Sequence, residues 1–223
     1  MALARWKDLC VDASDPRTVA AFWSPLLGLE AEPAGDGVTR LRGDSPDRTV
    51  WVNAVPEPKT VKNRVHLDLV LPTVEPLVAG GAAVEHLPEP GREWHVLTDP
   101  EANELCVFPA GQRWPTALVV DASDEQAIAA WWADVLGARL SPGPDGLPRW
   151  LRDVAGLPLE VWKFVKVPDR KTVKNRWHWD LVCDDVEELV RRGATPLRGP
   201  HGDVDWHVLA DPEGNEFCVF TSS

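Results

Sequence analysis

The stretch Arg64–Leu71, RVHLDLVL, alternates polar and apolar residues. Period two is the signature of a β-strand with one face on a core. Val65, Leu67 and Leu69 take the apolar face, and Arg64, His66 and Asp68 project from the other. Other stretches of the first half carry their own signals. Trp6–Ala13 predicts a short strand. Ser14-Asp15-Pro16 predicts a helix start, with a capping acceptor and a proline in the first turn. That helix is expected over about Arg17–Leu27 and ends at Gly28, a residue suited to the left-handed stop. Short β segments are expected over Glu30–Arg42 and Thr49–Val55, then the alternating strand. A short helix near Val74–Ala79 ends at Gly80-Gly81. Strands near Val84–Leu87, Glu93–Leu97 and Glu104–Phe108 follow. The order is β-α-β-β-β twice, with Pro56–Asn63 as the exposed connection between the two modules.

The second half repeats the first. Lys59–Leu71 and Lys171–Cys183 are identical at 10 of 13 positions, and Trp94–Phe108 and Trp206–Phe220 at 12 of 15. Both pairs sit 112 residues apart, whereas the opening strands sit 109 apart, so three residues were gained within Ser141–Lys166. Strands are expected near Leu118–Ala122, Arg149–Asp153, Leu159–Val165, Trp177–Cys183, Thr195–Leu197, Trp206–Leu209 and Glu216–Phe220. One helix carries Trp131 and Trp132 and ends at Gly137; another covers Val186–Arg192 and ends at Gly193. A repeat this long means duplication of a whole domain. The expectation is an α+β chain of four βαβββ modules in two domains, 1–110 and 115–223, linked by 110–116.

Composition narrows the class. The net charge is −12, which argues against nucleic acid or an anionic membrane as partner. No apolar run of transmembrane length and no leader pattern occurs, and the four cysteines form no CxxC. This reads as a cytoplasmic protein with reduced thiols. Twelve tryptophans against no tyrosine leave two readings open: core packing, or an aromatic-lined pocket.

The motifs carry a resemblance. The Val-Asp-Ala-Ser-Asp opening, Leu-Gly after the first helix, Lys-Asn-Arg-x-His-x-Asp-Leu and Asp-Pro-Glu-x-Asn-Glu-x-Cys-Val-Phe are similar to the vicinal oxygen chelate superfamily. That group includes glyoxalase I, bleomycin-resistance proteins and extradiol dioxygenases, and the nearest likeness is to actinobacterial glyoxalase-like domains. The resemblance implies paired modules curved around a ligand cavity. It implies a small-molecule ligand and, because four modules lie in one chain, a monomer built as an internal pseudo-dimer.

Metal-using members of that superfamily take a ligand from the first strand, a histidine opening the second module and a glutamate from the last strand. Those positions fall here on Asp8 or Ala117, on His66 or His178, and on Cys106 or Cys218. A catalytic metal usually needs three protein ligands. Asp8, His66 and Cys106 are one donor set; pairing across halves joins Asp8 to His178 and Cys218 instead, and Ala117 to His66 and Cys106. The expectation is no metal and no cofactor in either half.

The remaining candidates follow from the polar stripe. His66 and His178 are candidate bases, oriented by Asp68 and Asp180. Arg64 and Arg176 suit a ligand carboxylate or phenolate. Glu104, Cys106, Glu216 and Cys218 share the same face, and Trp94 and Trp206 are candidate ligand platforms. The opposing reading is a buried ion network that stiffens the sheet. His95 and His207 are expected to point away from the cavity, and His86 and His201 to be solvated. Asp99-Pro100-Glu101 and Asp211-Pro212-Glu213 read as turns. Two function classes stand. One is a lyase- or isomerase-type catalyst, or a dioxygenase-type one with a metal. The other is a drug-sequestering binding protein of the bleomycin-resistance kind.

Overall fold

The computed structural model describes residues 2–35, 37–45, 48–111, 116–202 and 204–222. The first module is β1 (Arg5–Ala13), α1 (Pro16–Leu27), β2 (Glu30–Gly35), β3 (Val38–Arg42) and β4 (Thr49–Ala54). The second is β5 (Val65–Leu71), α2 (Glu75–Ala79), β6 (Ala83–His86), β7 (His95–Thr98) and β8 (Glu104–Pro109). The third is β9 (Ala117–Ala122), α3 (Glu125–Leu136), β10 (Arg139–Pro142), β11 (Pro148–Arg152) and β12 (Val161–Lys166). The fourth is β13 (Trp177–Val182), α4 (Val186–Arg191), β14 (Thr195–Arg198), β15 (His207–Ala210) and β16 (Glu216–Phe220). Strand β10 was not anticipated; its four residues end in a proline, which mutes the strand signal. Part of the expected linker, 112–115, lies outside the described residues.

The helix ends follow their residues. Asp15 accepts from the Arg17 and Thr18 amides, and Asp124 from the Ala127 amide. Gly28 and Gly137 close α1 and α3 at φ 63° and 62°, where a Cβ is strained. No helix among the described residues is long and apolar enough to cross a membrane.

The modules pair across the duplication. One eight-stranded sheet, here sheet A, has the order β14-β15-β16-β13-β1-β4-β3-β2 and joins the first module to the fourth. Sheet B, β10-β11-β12-β9-β5-β8-β7-β6, joins the second to the third. The seams are the antiparallel pairs β1·β13, with Asp8 opposite Asp180 and Cys10 opposite His178, and β5·β9, with Asp68 opposite Ala117.

Alternation then sorts the side chains. Leu9, Val11, Trp177, Trp179, Val65, Leu67, Leu118 and Val120 enter one continuous core that spans both halves. Trp6, Trp23, Trp132, Trp162, Trp177 and Trp179 are fully buried there, in edge and tilted contacts such as Trp162–Trp179 at 4.8 Å. So half of the tryptophans are core. The other face of each sheet forms a cup, and the polar stripe lies in it.

The most repeated sequence is a clamp. Lys59 pairs with Glu104 at 2.8 Å, and Glu104 also accepts from the Asn63 amide. Asn63 Nδ2 donates to Asn103, Asn103 donates to Asp99, and Trp23 Nε1 on α1 donates to Asp99 at 3.0 Å. Lys171, Glu216, Asn175, Asn215, Asp211 and Trp132 repeat the same chain. The Asp-Pro-Glu turns are turns, as expected. Their glutamates do more: Glu101 accepts from the Ser14 and Asp15 amides and Glu213 from those of Ser123 and Asp124, anchoring the helix starts.

Candidate functional site

Cup B, on sheet B, gathers His66, Asp68 and Cys106, whose donor atoms lie within 4.8 Å of one another. His66 Nε2 sits 3.5 Å from Asp68 Oδ1 and 3.8 Å from Cys106 Sγ. A lysine that the reading of the sequence passed over closes the group. Lys163 Nζ on β12 donates to Asp68 Oδ2 at 2.9 Å and lies over the rings of Trp150 and Phe108 at 5.2 and 5.3 Å. Around it Ala117, Val119, Trp150 and Val161 form a small apolar cluster. Burial alone disfavours charge on His66, but the hydrogen bonds to Asp68 and Cys106 and their charges outweigh it and lift the imidazole to about 10. Burial likewise pushes Asp68 up, yet His66 and Lys163 hold it below its ordinary value. Cup B holds an ion cluster in which two cations, His66 and Lys163, share Asp68.

Cup A differs residue by residue. The counterpart of Lys163 is Trp51, and the counterpart of Trp150 is Arg40, so the cation–aromatic pair recurs with its members exchanged: Arg40 lies 5.8 Å from the Trp51 ring. An irregularity in β1 between Trp6 and Asp8 brings Lys7 onto Asp8 and over Phe220, 4.4 Å from its centroid. His178, Asp180 and Cys10 have donor atoms within 4.8 Å. Burial pushes Asp180 up, despite the opposing charges of His178 and Lys7. Burial also raises the Cys10 and Cys218 thiols, with the Asp180 charge adding to it. Asp180 Oδ1 is buried without a hydrogen-bond partner among the described residues. This cup is open: a cavity of about 300 Å³ is lined by His178, Cys218, Trp206, Arg198, Lys174 and Asn53 among others.

Of the residues singled out from the sequence, His66, Asp68 and Cys106 meet in one cup and His178, Asp180 and Cys218 in the other. Trp94 and Trp206 stack on Phe108 and Phe220, at 5.0 and 5.4 Å, in equivalent places. Glu216 lines cup A while bound to Lys171. The expectation that Arg64 lines the same concave surface as His66 is corrected. Glu104 is held in the clamp, as its copy Glu216 is. Arg64 reaches across the seam to the carbonyls of Asp121 and Asp169, at 2.9 and 2.7 Å. Arg176 likewise binds the Glu57 carbonyl and Glu101. Both arginines stand at strand entrances, where a long side chain can leave the face that alternation assigns it. His86 and His201 are exposed, as expected. Sequence reasoning missed Lys163, Cys10, Arg198 and Asn53. Lys163 left one signal, a charge in the middle of the otherwise apolar run VWKFV.

Of the superfamily's metal positions, those paired across the halves come together: β1 beside β13 puts Asp8, His178 and Cys218 in cup A. The set Asp8, His66 and Cys106 is split between sheets. In cup B, Ala117 has no donor, and the Lys163 ammonium already serves Asp68. In cup A, Asp8 is held by Lys7, while Cys10, His178 and Asp180 bring three donor atoms within 4.8 Å of one another.

The profile of the glyoxalase-like domain matches the chain twice, over residues 8–108 and 117–220. The chain belongs to the glyoxalase-like domain family. It is a tandem duplicated member of the vicinal oxygen chelate superfamily. Solved structures agree on the fold. Glyoxalase I from Zea mays superposes with a TM-score of 0.65 at 13% identity, covering 97% of this chain and 92% of that one. A putative dioxygenase from Bacillus subtilis gives 0.59 at 11% identity, covering 99% and 86%. The cppA protein of Streptococcus pneumoniae gives 0.54 at 9%, covering 99% of each chain. No curated protein matches the chain.

Proposed function

We propose that this family member binds a small, partly aromatic organic molecule in cup A, without a metal, and that His178 moves a proton on it. The observation that carries the reading is the 300 Å³ cavity that reaches His178 between Trp206, Arg198 and Lys174. Trp206, braced by Phe220, offers a flat apolar face. Arg198 and Lys174 offer cations to a carboxylate or an enolate oxygen. A base at this point removes a proton beside a carbonyl while the cations take up the charge that develops on oxygen. That is lyase- or isomerase-type chemistry. His66 is unsuited to the same task, since an imidazole lifted to about 10 stays protonated at neutral pH.

The test is retention of small molecules from cell extract by the wild type, His178→Ala and His66→Ala, with a thermal melt of each. The expected result is a retained molecule that His178→Ala loses with little change in melting. Retention unaffected by both His178→Ala and Trp206→Ala would sink the reading. A molecule recovered unchanged after long incubation would favour sequestration over catalysis.

A further inference from the structure

The duplication lets each cup serve as a control for the other. Both keep a histidine and a tryptophan platform, His178 and Trp206 in cup A and His66 and Trp94 in cup B. Two positions differ in kind. Arg198 on β14 stands where β6 has His86, since each pairs with the equivalent valine of the next strand, Val208 or Val96. Asn53 on β4 stands where β12 has Val165, since each pairs with the equivalent aspartate, Asp12 or Asp121. Arg198 and Asn53 both line the cavity of cup A.

Their bonding separates them from the other polar groups of that cavity. Lys174 is matched by Asp12 and Glu57, and Glu216 by Lys171. Among the described residues the Arg198 guanidinium meets the Trp206 ring at 6.0 Å and no carboxylate. The Asn53 backbone joins the β4 ladder, while its side-chain amide has no partner among those residues. The Arg198 charge reaches into the cup: burial raises the Cys218 thiol, and Arg198 works against that rise. In a chain with 35 acidic and 23 basic residues, this cation is available to an anion from outside.

The strand order sets the layout of a ligand. Arg198, Val208, Cys218 and Asp180 are successive partners across β14, β15, β16 and β13. His178 lies two residues before Asp180 on β13, and Asn53 lies two strands further on, past β1. Three strand spacings, roughly 14 Å along the sheet, separate the backbone of Arg198 from that of β13. An anion on Arg198 is therefore held well away from a carbon that reaches His178. We infer, resting on the proposed use of cup A, that its ligand is a monocarboxylate with an aryl spacer. The carboxylate lies on Arg198 and the ring on Trp206. A carbonyl on the far side of the ring lies at His178, with the Asn53 amide donating to its oxygen. A short 2-oxo acid, whose carboxylate adjoins the carbonyl, cannot reach both ends.

The probe is 4-acetylbenzoate, with its methyl ester and pyruvate as comparators, titrated by calorimetry against the full chain at pH 8. The variants Arg198→His and Asn53→Val bring in the residues that cup B already carries at these places. At that pH an exposed histidine is neutral. Arg198→Gln, at the same exposed position, is the second variant. The expected result is one acid bound per chain, with the ester weaker by about tenfold or more and pyruvate weaker still. Both Arg198 variants should weaken the acid by about tenfold or more and abolish its advantage over the ester. Asn53→Val should weaken acid and ester alike. No binding of the acid to the wild type, pyruvate bound as tightly as 4-acetylbenzoate, or an acid preference intact in both Arg198 variants would each overturn the assignment. The reading of cup A is judged separately by the molecule retained from extract. A retained molecule without a carboxylate, lost in His178→Ala, overturns the substrate class and leaves that reading standing. Binding of the acid untouched by both His178→Ala and Trp206→Ala sinks the two together.

Discussion

Lys163 and Asp68 lie on different halves of the duplication, 95 residues apart, and meet at 2.9 Å inside cup B. Lys163 is 4% exposed and Asp68 5%. An ammonium buried this far is tolerated because a carboxylate and two aromatic rings surround it. The pair joins the halves across the β5·β9 seam. In cup A, Trp51 stands where Lys163 stands in cup B.

Removing one partner should therefore be costly. Lys163→Met removes one of the two cations that hold Asp68, leaving His66, and is expected to destabilise the fold by roughly 1.5–3 kcal/mol. Denaturant unfolding measures it. A loss under about 1 kcal/mol would mean that the pair contributes little. Trp51→Leu, in the open cup, should cost less than Lys163→Met.

His66 gives a pH dependence with a definite sign. Its folded value of about 10 lies above the ordinary 6.5. The protonated form is the one the fold favours. Its contribution is complete below pH 6.5 and drains away as pH rises toward 10. Unfolding free energy should fall by roughly 2–4 kcal/mol more across that window in the wild type than in His66→Gln. Equal slopes in the two proteins would contradict the arrangement described for cup B.

Metal content is a third check. Asp68 and Asp8 are each held by a lysine, so the purified protein is expected to carry no stoichiometric transition metal after dialysis. Elemental analysis decides it. Zinc, iron, nickel or manganese near one equivalent would point to Cys10, His178 and Asp180, and loss of that metal in Cys10→Ser would confirm where it binds.

Assembly is a fourth. Each sheet is completed by modules of the same chain, as in an internal pseudo-dimer. Sedimentation at low micromolar concentration should report a monomer. An obligate dimer would require a further interface.

Local physics was legible throughout. Alternation in RVHLDLVL put His66 and Asp68 on one face, and Asp15, Gly28, Asp124 and Gly137 marked helix ends through their own backbone chemistry. The duplication was legible because identity at a fixed offset needs no structure. Residues at strand ends were not. Arg64 and Glu104 follow the parity of the stripe, yet long side chains near open ends turned to partners brought by other elements.

The sequence by itself determined the four modules, their order and the polar face of each key strand, because caps, turns and period-two patterning act over a few residues. Only the tertiary structure decided that β1 joins β13 rather than β5, and hence that Asp8 shares a cup with His178 and not with His66. Both pairings would bury the same apolar faces, so no local pattern distinguishes them. The ion cluster of cup B came from the same source. Lys163 meets Asp68 only because β12 lies beside β9, and β9 beside β5.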